Sequence, residues 1–379
     1  MNKNSSCIYQ LTNCVWEITL ECCFSCKYCG SKGGKARNNE LTLKEAIDVA
    51  NQLGELGCRR VSLIGGEVFM RSDWDQIAKA LVNNNISVSI ITKGFYISDE
   101  IIQILKEVGI ESIAISIDGL YEMHDRYTQK GAFRRAINAM EKLIANDIPV
   151  SVITTLYSEN SKYLEEMYAF LQKYNIFAWQ LQSCSPMGNA VDEQIEYRID
   201  TKTVVSFVEN HLFDSHIRIQ LCDDIGYYSP FEGFLRGNLM GNGYFSGCGA
   251  GLCSIGIDSI GNVRGCESMY DDCFIEGNLR ERSLKDIWEE PNSFLYNRNF
   301  STDLLTGYCH TCEYGKMCAG GCRSYNYFVH KKMYEAPSCI QYDLQIDKVA
   351  VDDEKEENYS NSNIGSVDSY NSNSSLFHG

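Results

Sequence analysis

Ten of the eighteen cysteines in this 379-residue chain fall into two spaced sets. Cys22, Cys26 and Cys29 form a C-x3-C-x2-C run near the N-terminus. Cys248, Cys266, Cys309, Cys312, Cys318, Cys322 and Cys339 form a longer set further on. Thiolates are soft metal ligands, so clustered cysteines point to metal chemistry. An iron–sulfur cubane takes four ligands. Three thiols leave one iron free to bind something else, and an open iron is where chemistry can start. A structural zinc site would instead want a fourth ligand nearby. The residues after Cys29 are Gly30, Ser31, Lys32, Gly33 and Gly34, which supply none.

The elements that must position the first set alternate in type. Short β-branched runs at 15–20, 60–64, 87–92, 112–117, 150–156 and 178–183 read as strands. Amphipathic stretches at 43–56, 74–83, 99–108, 132–145 and 163–174 read as helices. In the first of these Leu43, Ile47, Ala50 and Leu53 recur at helical spacing, and Thr42 with Glu45 forms a capping-box pattern. Strand–helix repeats of this kind imply a parallel sheet. Six units are too few for a closed eight-stranded barrel. The expected fold is α/β, a partial (β/α)6 barrel, with ligands at the C-terminal ends of its strands. The first cysteine set directly follows the first strand, on that face.

The chain divides by composition. Residues 1–13 are an N-terminal segment, 14–185 the partial barrel and 186–245 a less regular bridge. Residues 246–342 are rich in Gly and Cys with little apolar periodicity, so bound metal would supply folding energy there. Residues 351–379 form an acidic, Ser/Asn-rich tail that is expected to be disordered. The net charge of −16 argues against non-specific nucleic-acid binding, which needs a basic face. No apolar run approaches the roughly 18 residues of a membrane span. The N-terminus lacks the form of a signal peptide, which points to the cytoplasm. Disulfides are rare there, which again favours metal for the clustered cysteines.

Tyr28 stands immediately before Cys29, and Gly65-Gly66-Glu67 follows the second strand. With the C-x3-C-x2-C run, these residues resemble the radical S-adenosylmethionine (SAM) superfamily over about residues 14–185. The resemblance implies that Cys22, Cys26 and Cys29 hold a 4Fe–4S cluster whose fourth iron is chelated by SAM. It implies that Gly65, Gly66 and Glu67 hold the SAM amino group. Glycines permit close backbone approach and a carboxylate pairs with an ammonium. Ser116, in the Ser116-Ile117-Asp118-Gly119 stretch, falls where the family often contacts the ribose. Arg135 is a further candidate for the SAM carboxylate. One electron from the cluster then cleaves SAM to methionine and a 5′-deoxyadenosyl radical, which abstracts hydrogen from an unactivated carbon. A low-potential reductant such as flavodoxin or ferredoxin would supply that electron.

From Cys248 the sequence reads C-x12-G-x4-C, with Gly261 and Cys266, then C-x2-C-x5-C-x3-C and Cys339. This resembles the SPASM domain over about residues 246–342, and implies two auxiliary 4Fe–4S clusters. Carried over by position, Cys309, Cys312, Cys318 and Cys339 ligate a distal cluster. Cys248, Cys266 and Cys322 hold a proximal one, with Cys253 where some members place a fourth ligand.

Enzymes of this architecture mostly oxidise peptides or proteins, with SAM as oxidant. The leading expectation is a thioether or carbon–carbon cross-link in a ribosomally made precursor peptide. The alternatives are side-chain oxidation of the sulfatase-maturing type and oxidation of a cofactor precursor. A non-catalytic electron carrier would close every cluster with four cysteines, which Cys22, Cys26 and Cys29 do not. Sulfatase-maturing enzymes place an Asp base directly after the second SPASM cysteine. Here Glu267 stands there, either as a general base or as a solvent-facing loop residue. Few residues precede Cys22, so a peptide leader would be recognised by a separate leader-binding protein or by the SPASM and bridge surfaces.

Overall fold

The computed structural model describes residues 9–213, 216–222, 224–236 and 243–345. The tail at 351–379 lies outside the described residues. Ten strands form one sheet in the order β10-β9-β8-β1-β2-β3-β4-β5-β6-β7. The barrel strands are β1 (Asn13–Glu17), β2 (Arg60–Ile64), β3 (Ser87–Thr92), β4 (Ser112–Ser116), β5 (Val150–Leu156) and β6 (Ala178–Ser183). They pair in parallel, each with the next. The intervening helices are α1 (Leu43–Glu55), α2 (Trp74–Asn83), α3 (Asp99–Val108), α4 (Glu122–Tyr127), α5 (Ala132–Ala145) and α6 (Leu164–Leu171).

The strand register explains why the sheet has one greasy and one open face. Trp16, Leu63, Ile90 and Ile113 are aligned across β1–β4 and are buried in the core with the helices. The adjacent row, Val15, Ser62, Ser89 and Ser112, is half-buried, and the Ser62 and Ser89 hydroxyls lie 2.9 Å apart. Helices thus cover one face, and the polar row lines the other. Such one-sided cover is what a curled, partial barrel requires.

α1 starts at the expected capping box: Glu45 N donates to Thr42 Oγ1, and Thr42 N donates to the Glu45 carboxylate at 2.8 Å. Its buried stripe is rotated from the expected one. Ala46, Val49, Ala50 and Leu53 face the core, and Ile47 is 36% exposed. The small alanines let α1 lie close to the sheet and α2.

The bridge is more regular than expected. Helix Thr201–Asn210 leads to β7 (Arg218–Leu221), which adds a seventh parallel strand beside β6. At the other edge β8 (Ser254–Ile257) pairs parallel with β1. β9 (Asn262–Arg264) and β10 (Gly277–Asn278) continue antiparallel. The Cys-rich region is therefore built onto the barrel sheet. Gly261 has φ +89° in the β8–β9 turn, a conformation an L side chain rarely adopts. That accounts for the glycine between Cys248 and Cys266. Among the described residues no helix is long and apolar enough to cross a membrane.

Candidate functional site

β1 ends at Glu17, earlier than the sequence pattern suggests, and the chain runs on to Cys22 as a loop. Two groups fix it. Glu40 accepts from Leu20 N at 2.7 Å and Thr19 Oγ1 at 2.9 Å. The Gly65-Gly66 turn donates from Gly66 N to Thr19 O at 2.8 Å, and Glu67 N donates to Glu21 O at 2.7 Å. A Cβ on Gly66 would collide with Glu21 O and lie 2.5 Å from Leu20 O. The glycines thus admit the chain's own backbone, immediately ahead of Cys22. A loop after β6 clamps the other side: Asn189 N donates to Cys29 O at 2.9 Å, and Asn189 Nδ2 to Cys26 O at 3.0 Å. A Cβ on Gly188 would collide with the carbonyls of Cys29 and Gly30.

The three thiols held this way suit a cluster. Phe24 N points at Cys22 Sγ (3.4 Å) and Gly33 N at Cys29 Sγ (3.3 Å), the backbone donors that metal-bound sulfur accepts. Burial pushes the Cys22 thiol up to about 12 and the Cys26 thiol to about 11. Among the described residues, no three His, Cys, Asp or Glu side chains converge tightly enough to hold a single ion. Every described cysteine is a free thiol.

The expected SAM-binding residues are distributed around this loop. The buried Glu67 carboxylate accepts from Thr92 Oγ1 (2.7 Å) and Lys93 N (3.1 Å), which ties β3 to the cysteine loop. The Phe69 backbone adds a third donor, and a carboxylate has about four acceptor sites, so capacity for an ammonium remains. Ser116 is half-buried at the end of β4. Arg135 is exposed, with its guanidinium 4.1 Å from the Phe95 ring centroid. Tyr28 is bound into a buried ionic group. Its hydroxyl contacts the Asp118 carboxylate and accepts from Lys93 Nζ at 2.6 Å.

Sequence reasoning missed the rest of that group. Lys93 Nζ donates to Asp118 Oδ2 at 3.0 Å. Thr155 N donates to Asp118 Oδ1 at 2.8 Å, and Asp118 N to His124 Nδ1 at 3.0 Å. Burial opposes both charges, but each holds the other: the Lys93 ammonium stays above its usual range and the Asp118 carboxyl below. Burial also pushes the His124 imidazole down to about 4. The available signal was a charged residue at a strand's C-terminal end, in Thr92-Lys93-Gly94.

The seven later thiols separate into two groups. Burial pushes Cys318 and Cys339 up to about 12, and the neighbouring thiols add to it: Cys339 and Cys309 for the first, Cys309 and Cys312 for the second. Tyr227, Tyr228, Tyr308 and Tyr314 surround this group. Burial likewise raises Cys322, aided by Cys248 and, more weakly, Cys266. The SPASM resemblance assigned Cys309, Cys312, Cys318 and Cys339 to a distal cluster and Cys248, Cys266 and Cys322 to a proximal one. Cys253 lies beside the second group's segment, its Sγ 3.7 Å from Gly249 O.

Glu267 is not a solvent-facing loop residue. It is 8% exposed, and neither carboxylate oxygen has a hydrogen-bond partner. The cause is Gly256 in β8, where a Cβ would fall 2.5 Å from Glu267 Cα. That close approach presses the Cys266-Glu267 backbone onto the sheet. Burial, then the charge of Glu17, pushes the Glu267 carboxyl well above the usual range. Nearby, Arg37 bonds to Glu17, Ser259 and Tyr270, and Arg264 Nη1 to Asp258 Oδ2 at 2.9 Å. Arg37 follows the cysteine loop, so this network ties that loop to the C-terminal region.

Known proteins match this chain in two parts. The radical SAM superfamily model matches residues 16–171, and the SPASM iron–sulfur cluster-binding domain model matches residues 248–313. An AdoMet-dependent heme synthase of Methanosarcina barkeri is 27% identical over 86% of this chain and 95% of its own. The mycofactocin maturase MftC of Mycobacterium tuberculosis is 26% identical over 86% of this chain and 82% of its own. The structure of Streptococcus suis SuiB bound to S-adenosylmethionine superposes with a TM-score of 0.70 at 18% identity, over 86% of this chain and 76% of that one. At that identity the likeness concerns the fold. The first match takes in Cys22, Cys26 and Cys29 and the second Cys248, Cys266, Cys309 and Cys312, and together they identify the chain as a radical SAM enzyme with a C-terminal SPASM domain, dependent on SAM and on 4Fe–4S clusters.

Proposed function

We propose that this enzyme oxidatively modifies a ribosomally made peptide, forming a thioether or carbon–carbon cross-link. The observation that carries this reading is the buried, unpartnered Glu267 carboxylate beside Cys266. Cross-linking removes two hydrogens from the peptide. When bound, SAM and the clusters supply the hydrogen abstraction and the electron transfer. The chain must supply the rest, including an acceptor for the substrate's proton. A carboxylate held in a low-dielectric site by burial and by Glu17 takes up a proton more strongly than one in water.

In this reading Cys22, Cys26 and Cys29 hold the SAM-binding cluster. Cys309, Cys312, Cys318 and Cys339 hold the distal auxiliary cluster, and Cys248, Cys266 and Cys322, with Cys253, hold the proximal one. Glu67 and the Gly65-Gly66 turn receive the SAM amino group at the rim of the same loop, and Ser116 faces the ribose. Arg135 has its charge over Phe95 and remains the weaker partner for the SAM carboxylate. The similarity to mycofactocin maturase MftC supports a peptide substrate. A second reading, oxidation of a haem precursor, is supported by the M. barkeri relative, which matches over nearly its whole length.

The deciding experiment incubates the anaerobically reconstituted enzyme with reductant, SAM and each candidate substrate. Candidates are short peptides encoded beside its gene and a haem precursor. A peptide product lighter by two hydrogens, with one 5′-deoxyadenosine per event, supports cross-linking. Turnover of the haem precursor alone overturns it. Glu267→Gln is expected to slow product formation while SAM cleavage persists.

A further inference from the structure

Arg323 opens helix Arg323–His330 immediately after Cys322. Its side chain is buried at 0% exposure. Nη1 donates to Ala319 O (2.6 Å), Met333 O (3.0 Å) and Gly321 O (3.3 Å), and Nε donates to Tyr296 O at 3.3 Å. The rings of Tyr334 and Phe300 lie 4.5 and 5.6 Å from the guanidinium. Nη2 has no partner. None of these groups is anionic. The other buried arginines differ: Arg264 pairs with Asp258 at 2.9 Å, and Arg236 with Glu232 at 3.4 Å.

A guanidinium cannot discharge by losing its proton in a protein. A buried charge without a counter-charge is costly. The groups that could become its counter-charge are thiols. Cys248 acts on Arg323 most strongly after burial itself, and Cys322 and Cys318 follow Tyr334. Arg323 in turn acts on Cys309. Cys248 and Cys322 belong to one group, Cys318 and Cys309 to the other.

We propose that Arg323 is the shared counter-cation of both auxiliary clusters, a positioning residue that couples their loading and raises their reduction potentials. The proposal rests on the reading that the seven thiols hold clusters. Metal-bound thiolates supply the negative charge that the fold otherwise withholds from Arg323. The orphan Nη2 supplies N–H donors of the kind that sulfur accepts, and net charge and such hydrogen bonds set cluster potentials. Reduction adds an electron, so a fixed cation favours the reduced form.

The test compares wild type, Arg323→Lys and Arg323→Gln after anaerobic reconstitution. Lysine keeps the charge; glutamine keeps polarity without it. Iron and sulfide are counted, and the auxiliary clusters are titrated under EPR, with the SAM-site cluster as internal control. Arg323→Lys is expected to stay near wild type. Arg323→Gln is expected either to lose auxiliary iron or to hold it at more negative potentials, with the SAM-site signal unchanged. Two variants that behave alike would overturn the role of the charge. A wild-type count near four irons rather than about twelve would overturn the cluster reading itself, and the proposal with it.

Discussion

Lys93 and Arg323 are both buried cations beside cysteines, yet they are satisfied in opposite ways. Lys93 meets Asp118 at 3.0 Å and the Tyr28 hydroxyl at 2.6 Å. Arg323 meets carbonyls and rings. The Lys93–Asp118 pair of the N-terminal site thus balances its own charges before any cofactor binds, and the thiol loop is braced by backbone bonds from 66, 67 and 189. In the C-terminal region Arg323 Nη2 and both carboxylate oxygens of Glu267 are buried without a hydrogen-bond partner. The first region is pre-organised to receive a cofactor. On the proposal made for Arg323, the second gains its balance from its cofactors.

The largest effect should come from breaking the complete side. Lys93→Met leaves Asp118 buried and unpaired, which costs about 3–5 kcal/mol. Urea unfolding, followed through the buried Trp16 and Trp179 of the sheet, would measure it. Arg323→Met, in protein not loaded with iron, removes a charge that had no counter-ion. Its cost should be clearly smaller. Equal costs would erase the contrast between the regions.

His124 sharpens the same point through pH. Burial holds its folded pKa near 4, against about 6.5 when unfolded. The unfolded chain therefore binds a proton that the folded one refuses between those values. Stability from the neutral imidazole is present above about pH 6.5 and is lost as pH falls towards 4, by about 3 kcal/mol at most. His124→Gln keeps an acceptor for Asp118 N and should flatten this part of the stability–pH curve. An unchanged slope in the variant would mean that His124 is not neutral beside Asp118.

How much of this contrast was legible beforehand depends on its range in sequence. The barrel strands stood out because alternation and turn residues are local signals, and Cys22, Cys26 and Cys29 because their spacing is local, whereas the grouping of the later thiols came from resemblance to the SPASM domain. Lys93 with Asp118, or Asn189 with Cys26, are pairings between distant segments that only the sheet brings together. β7 is four residues long, too short for a period to register. The burial of Glu267 follows from Gly256, whose missing side chain admits a backbone from another segment. Nothing beside Glu267 in sequence announces that.

Gly66→Ala tests the bracing itself. The new Cβ meets the Glu21 and Leu20 carbonyls, which are backbone and cannot swing aside. Overpacking of this kind costs about 1–3 kcal/mol. The shift should be felt at Cys22, so iron bound at the SAM site should fall while the auxiliary clusters persist. Loss of all clusters together would show that the two regions are not independently held.

The smallest effect lies at the joint between the regions. Glu45 on α1 meets Arg280 of the C-terminal region at 2.6 Å, both about a third exposed. The Arg280 hydrogen bond, with the Thr42 cap, pulls the Glu45 carboxyl down to about 2. The pair is solvated and salt-screened, so the shift overstates its worth, and an exposed pair contributes about 0.2–1 kcal/mol. Glu45→Gln should cost no more than that at neutral pH. A depressed carboxylate stabilises above its unfolded pKa, so the difference from wild type should close as pH falls from about 4.5 towards 2. Arg280 also donates to the carbonyls of Asn39 and Glu40, in the segment that leads from the cysteine loop into α1. Arg280→Ala should therefore cost more than Glu45→Gln. If instead the two cost the same, the joint is held by charge alone, and the regions meet there without sharing the loop that carries Arg37 and Glu40.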